Sequence, residues 1–261
     1  MMKPSFVKSI ARNAARTIAL ASCAALSLAA SPPQPAPKPT PTAKARQQLA
    51  AKGNWNGTMG VTADGSHTLG NPDAPIKMTE FVSYTCPHCA VFHREADPVL
   101  RTTLIPKGQI QVTVTNLLRN PIDLTIAMLT SCGDPNRFWV RHNAFFASQD
   151  QWLATAQKMT PEQLARWGQG EIPARMRAIA GDLGFYAKMQ QWGIDRARAD
   201  RCLNDASMLD KLRAQQSAAG SLGLTGTPSF VINGEVQQVH DWEHLSKLLS
   251  DRAAALQAGR I

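Results

Sequence analysis

The sequence predicts an α/β fold in which a long run of helices is set between two strand-bearing segments. Three observations carry that prediction. First, "IKMTEFVSY" (76–84) and "QIQVTVTNLL" (109–118), both rich in β-branched and apolar residues, flank a segment with helical apolar spacing, which is a β-α-β order. Second, from Pro121 to about Asp205 only helical patterns occur. Third, "TPSFVINGEVQQV" (227–239) places Asn233-Gly234 between two apolar runs, the strongest short hairpin signal.

Taken in order, "WNGTMGVTADGSHTLGNP" (55–72) carries Asp64-Gly65 between short alternating segments and predicts a hairpin. "CPHCAVFHREADPVLRTTL" (86–104) predicts a helix with Val91, Phe92, Ala96, Val99 and Leu100 as its apolar stripe. The middle segment predicts helices over "PIDLTIAMLTSC" (121–132), "DPNRFWVRHNAFFASQDQWLA" (134–154), "TPEQLARWGQ" (160–169) and "GIDRARADRCLND" (193–205). Thr160, Pro161 and Glu162 supply a cap, a first-turn proline and an acidic residue for one of these. "ASMLDKLRAQQSAAGSLGL" (206–224) is a further helix, and "DWEHLSKLLSDRAAALQ" (241–257) a last one after the hairpin. No internal repeat is visible.

The N-terminus reads as an export signal. Lys3, Lys8, Arg12 and Arg16 precede the apolar run "TIALASCAALSLAA" (17–30), which ends in small residues before "SPPQPAPKPTPTAK". At 14 residues the run falls short of the roughly 20 a membrane span needs. Cleavage after Ala29 leaves 232 residues, with four basic residues removed from a formal charge of +9. "LASC" (20–23) resembles a lipobox, which would make Cys23 a lipid anchor instead. The segment 30–52 is Pro-rich and reads as a spacer. No basic run interleaved with aromatics stands out, which argues against nucleic-acid binding. The expected compartment is the periplasm.

Cys86 and Cys89 stand two apart at the predicted strand-to-helix junction. Thiol–disulfide exchange needs a thiolate, and the open N–H groups of a helix start favour one at Cys86. Pro87 suits the first helical turn, and His88, when protonated, adds a cation. Cys89, one turn in, is the resolving thiol. A structural zinc site normally needs four ligands, and the other two cysteines, Cys132 and Cys202, fall in predicted helices without local partners. With Cys23 removed, Cys132 and Cys202 are the remaining pair in an exported chain, and parity predicts a structural disulfide between them.

"EFVSYTCPHC" (80–89) together with "GTPSF" (226–230) resembles the DsbA-like thiol:disulfide oxidoreductases of bacterial envelopes, from about Gly60 to the C-terminus. The resemblance implies a thioredoxin-like fold with an inserted helical domain: 53–120 and 206–261 the two parts of the thioredoxin-like domain, 121–205 the insertion. It implies that Cys86 attacks, that His88 tunes the potential, that Pro228 is a cis-proline and that Thr227 offers backbone groups to an extended substrate peptide. Glu80 matches the family's buried acid near the resolving thiol, a proton relay. No cofactor is expected. The expected partners are unfolded exported proteins with reduced thiols and a DsbB-like membrane quinone reductase. Only about thirty residues separate the spacer from the first core strand, too few for the dimerisation domain of isomerases, so a monomer is expected. Thr227 also occurs in isomerases and reductases, which leaves open a disulfide isomerase or reductase kept reduced; a zinc-binding envelope protein is the third alternative. His93, four residues after Cys89, reads as a surface residue.

Overall fold

The structure, a computed structural model, describes residues 53–259. The expected signal peptide, the spacer and Cys23 lie outside these residues. A six-stranded sheet has the order β1-β2-β4-β3-β5-β6. β1 (Met59–Val61) and β2 (His67–Gly70) form the first hairpin, around the Asp64-Gly65 turn. β3 (Ile76–Val82) and β4 (Ile110–Asn116) run parallel, joined through helix α1 (Pro87–Thr102). β5 (Ser229–Ile232) and β6 (Glu235–Gln237) add antiparallel to β3. Their two-residue turn has Asn233 at φ 52° and Gly234 at φ 89°, the paired positive φ values a tight hairpin requires.

Between β4 and β5 the chain is helical. α2 (Pro121–Thr130), α3 (Phe138–Ala147), α4 (Gln149–Ala156), α5 (Pro161–Gly168), α6 (Ile172–Asp182), α7 (Phe185–Gln190), α8 (Arg196–Cys202) and α9 (Ala206–Ser221) precede β5, and α10 (Trp242–Gln257) follows β6. α5 is closed by a reciprocal capping box between Thr160 and Gln163. The predicted helix over 134–154 is three pieces: a 3-10 turn at Pro135–Arg137, then α3 and α4 separated at Ser148. Neither α6 nor α7 was anticipated.

The apolar stripe of α1 differs from expectation. Cys89, Phe92, His93, Ala96 and Leu100 are buried, whereas Val91 and Val99 are exposed at 39% and 40%. Each residue advances about 100° around the axis, so 89, 92, 93, 96 and 100 share one face with Val91 opposite, while Val99, seven residues after Phe92, stands at the margin of that face. Apolar identity suggested both valines; helical phase excludes Val91, and Val99 is left exposed at the edge. The same phase makes His93 buried, at 9% exposure, rather than a surface residue.

Candidate active site

The loop after β3 delivers Cys86 as the N-cap of α1, in extended conformation, with Pro87 in the first turn. Residues of the helical insertion hold this loop. Fully buried Asp123, on α2, accepts from Ser83 Oγ at 2.8 Å and from the Thr85 N–H at 2.8 Å. Asn120, which caps α2, donates from Nδ2 to Thr85 Oγ1 at 2.7 Å. Gln149, at the start of α4, donates from Nε2 to the carbonyls of Tyr84 (2.6 Å) and Cys86 (2.9 Å). No motif marks these three residues. Asn120-Pro121-x-Asp123 reads as an ordinary helix start, which conceals its second task.

Across the site the Thr227–Pro228 peptide is cis. The Cys86 thiol donates to the Thr227 carbonyl at 3.1 Å, so the loop before β5 faces the sulfur directly. Cys86 and Cys89 are both free thiols, 3% and 0% exposed. Glu80, on β3, is 1% exposed. Among the expected site residues, Cys86, Cys89, Glu80, Thr227 and Pro228 thus converge, with Pro87 and His88 exposed at the rim.

The two thiols are electrostatically opposite. Cys86 is pushed down to about 5, chiefly by the hydrogen bond from the Cys89 thiol, with further help from the Thr227 side chain and the backbone N–H groups of Cys89 and His88; burial works against this. His88 therefore acts on the sulfur through its backbone, and its ring, expected to act as a cation, stands exposed. Cys89 is driven well above its ordinary value by burial first, then by its hydrogen bond to Cys86 and the negative charge of Glu80. In the reduced protein at pH 6, Cys86 should alkylate rapidly and Cys89 hardly at all. Mass mapping after a short iodoacetamide pulse checks this, and equal labelling of both would contradict the asymmetry.

Cys132 and Cys202 lie together at the ends of α2 and α8, joined with Cα atoms 5.6 Å apart. They are engaged with each other rather than placed as two ligands beside the CxxC. Among the described residues no three His, Cys, Asp or Glu side chains converge as metal ligands.

A paired CxxC at a strand-to-helix junction, facing a cis-proline on a mixed sheet, defines a dithiol site of the thioredoxin type. A family profile described as Thioredoxin matches residues 62–251, and the chain belongs to that family. It is similar to a Rickettsia typhi protein named as a protein-disulfide oxidoreductase, 29% identical over 187 residues, which are 71% of this chain and 60% of that one. The counterpart from Rickettsia conorii is 30% identical over 66% of this chain and 54% of its own. The chain thus spans little more than half the length of these curated relatives. Among solved structures, the protein-disulfide isomerase of Novosphingobium aromaticivorans is 41% identical with a TM-score of 0.70, over 73% of this chain and 98% of that one. The alpha-DsbA1 of Wolbachia pipientis, 23% identical with a TM-score of 0.57 over 73% and 92%, shares the fold.

Proposed function

We propose that the chain is a periplasmic dithiol oxidase that donates the Cys86–Cys89 disulfide to exported proteins with reduced thiols. The observation that carries this reading is the opposed pair of thiols, one held near pH 5 and one held as a thiol. A client thiolate attacks Cys86 Sγ, and the Cys89 sulfur leaves as a thiolate and takes a proton. A second client thiolate then attacks the client sulfur of the mixed disulfide, and Cys86 leaves as the thiolate that its surroundings favour. The client loses two electrons and the pair gains them, with no cofactor needed.

Thr227, ahead of cis Pro228, offers backbone groups to an extended client strand, a mode of recognition tolerant of sequence. Glu80 serves as the proton relay for Cys89, supplying a proton as Cys89 leaves and taking one back when the pair is re-oxidised. Export by the segment 1–29, action as a monomer, and re-oxidation by a DsbB-like membrane quinone reductase complete the reading. No helix among the described residues is long and apolar enough to cross a membrane.

The oxidised protein should oxidise a reduced, unfolded two-cysteine client stoichiometrically, and Cys86→Ser should abolish this. Poor oxidation together with efficient repair of a scrambled client would favour the alternative, an isomerase or reductase; the Novosphingobium protein is named as an isomerase.

A further inference from the structure

Each turn of the proposed exchange must add a proton to Cys89 or remove one from it. That is a difficulty of place, because Cys89 is 0% and Glu80 1% exposed, and neither can exchange protons with bulk water directly. A carboxylate that accepts the proton has to pass it on before the next turnover. The residue next to Glu80 is His93, whose Nε2 lies 3.4 Å from Glu80 Oε1 with 8% of the side chain exposed.

We infer that His93 is a proton-relay residue that connects Glu80, and through it Cys89, to solvent by way of a small cavity beneath α1. The inference rests on the proposed role of Cys86 and Cys89 as the exchanging pair. His93 and Glu80 line a cavity of about 20 Å³, room for about one water molecule. Asp97 lines the same cavity one helical turn on, and its side chain is 24% exposed, hydrogen-bonded to Arg101 Nε at 2.8 Å. The route therefore runs from a buried carboxylate, along an imidazole, to a half-exposed carboxylate at the surface. His93 Nδ1 is buried with no protein partner, so the second ring nitrogen is not committed elsewhere.

The ring is held in place and kept able to work in both directions. It stacks on Phe146 with centroids 4.5 Å apart and planes 14° off parallel. His93 Nε2 also faces His142 Nε2 at 3.1 Å, and His142 Nδ1 faces the Tyr84 hydroxyl at 2.8 Å. Two facing ring nitrogens share one proton: in one tautomer His93 Nε2 carries it and presents an N–H toward Glu80, and in the other it sits on His142, with His93 Nε2 as acceptor and the N–H of His93 on Nδ1. Exchange with Cys89 runs both ways, and this versatility serves it. His142 is kept neutral by complete burial, with the charges of His93, His67 and Arg101 acting in the same direction. The groups that set the field at His93 are accordingly Glu80 from β3, His67 from β2, His142 and Arg141 from α3, Tyr84 from the loop after β3, and Asp97 and Arg101 from its own helix.

Stopped-flow measurement of the reduced protein with glutathione disulfide separates two steps. Cys86 thiolate attacks one glutathione sulfur and releases a glutathione thiolate; Cys89 then loses its proton, attacks Cys86 Sγ and releases the second. In His93→Gln the first step should be unchanged, while the second slows about tenfold and loses the pH dependence it has in the unaltered protein. Added imidazole should restore the second step in His93→Ala. Asp97→Asn, at the half-exposed end, tests the route without a buried substitution and should slow the second step about threefold. Unchanged second-step rates and pH profiles in both His93→Gln and Asp97→Asn would overturn the relay. If Glu80→Gln alone slows that step, the acceptor stands and the relay falls. If Cys86 fails to react in any form of the protein, the exchange reading itself is wrong.

Discussion

Replacing Cys132 and Cys202 together by alanine should lower the unfolding free energy of the air-oxidised protein by on the order of 4 kcal/mol, by the loop-entropy argument for a cross-link. The two residues are 70 apart in sequence, so reducing the bond frees a long loop in the unfolded chain. The helices it joins also matter locally. Cys132 follows α2, the helix whose Asp123 holds the loop before Cys86, and Cys202 ends α8. Loss of the bond should therefore loosen the support of the active-site loop as well as the insertion. Urea denaturation of the double variant against the parent, both with Cys86 and Cys89 oxidised, measures the first effect. An unchanged midpoint, or two free thiols at 132 and 202 in the air-oxidised parent, would show that the bond contributes nothing.

The strands and hairpins around the site were legible because each is specified locally. β3 and β4 are continuous apolar and β-branched runs, as buried parallel strands should be, and Asn233-Gly234 supplies by itself the backbone freedom its turn needs. The insertion was less legible. The break between α3 and α4 falls at Ser148, with neither glycine nor proline to announce it, and α6 and α7 are short pieces whose buried residues are interrupted by arginine and lysine. The active-site cysteines were readable as a motif, but their supports were not. Asp123 and Gln149 reach the loop across 38 and 63 residues of sequence, and His142 reaches His93 across 49. Contacts of that range depend on how helices pack, which local periodicity does not encode. His93 was misplaced for a different reason: residue type suggested surface, and phase on α1 turned it inward against Glu80.

The Cys86/Cys89 couple should have a reduction potential of about −180 mV, on the oxidising side of the midpoint between thioredoxin at about −270 mV and DsbA at about −120 mV. The attacking thiol sets this value. Attacking cysteines of about 7 and about 3.5 accompany those two potentials, and Cys86 at about 5 falls between them, somewhat nearer the second. Because its folded value lies below the unfolded value of about 8.5, the Cys86 thiolate stabilises the reduced fold fully above pH 8.5, and that gain fades as pH falls through about 5. Cys89 works in the opposite sense: its raised value favours the fold below about pH 8.5, and stability is lost as pH rises from there toward the folded value. The reduced protein should therefore be most stable near pH 8, which denaturation at a series of pH values will show. The contributions to Cys86 can be separated by substitution. Thr227→Val removes a buried hydroxyl that is free of other hydrogen bonds and favours the Cys86 thiolate, and should lower the potential by about 30 mV, the equivalent of about one pKa unit. His88→Ala keeps the backbone N–H that acts on the sulfur and should lower it by less. Equilibration with glutathione decides the matter, and a couple near −270 mV in the parent, or a larger drop in His88→Ala than in Thr227→Val, would contradict this account of the site.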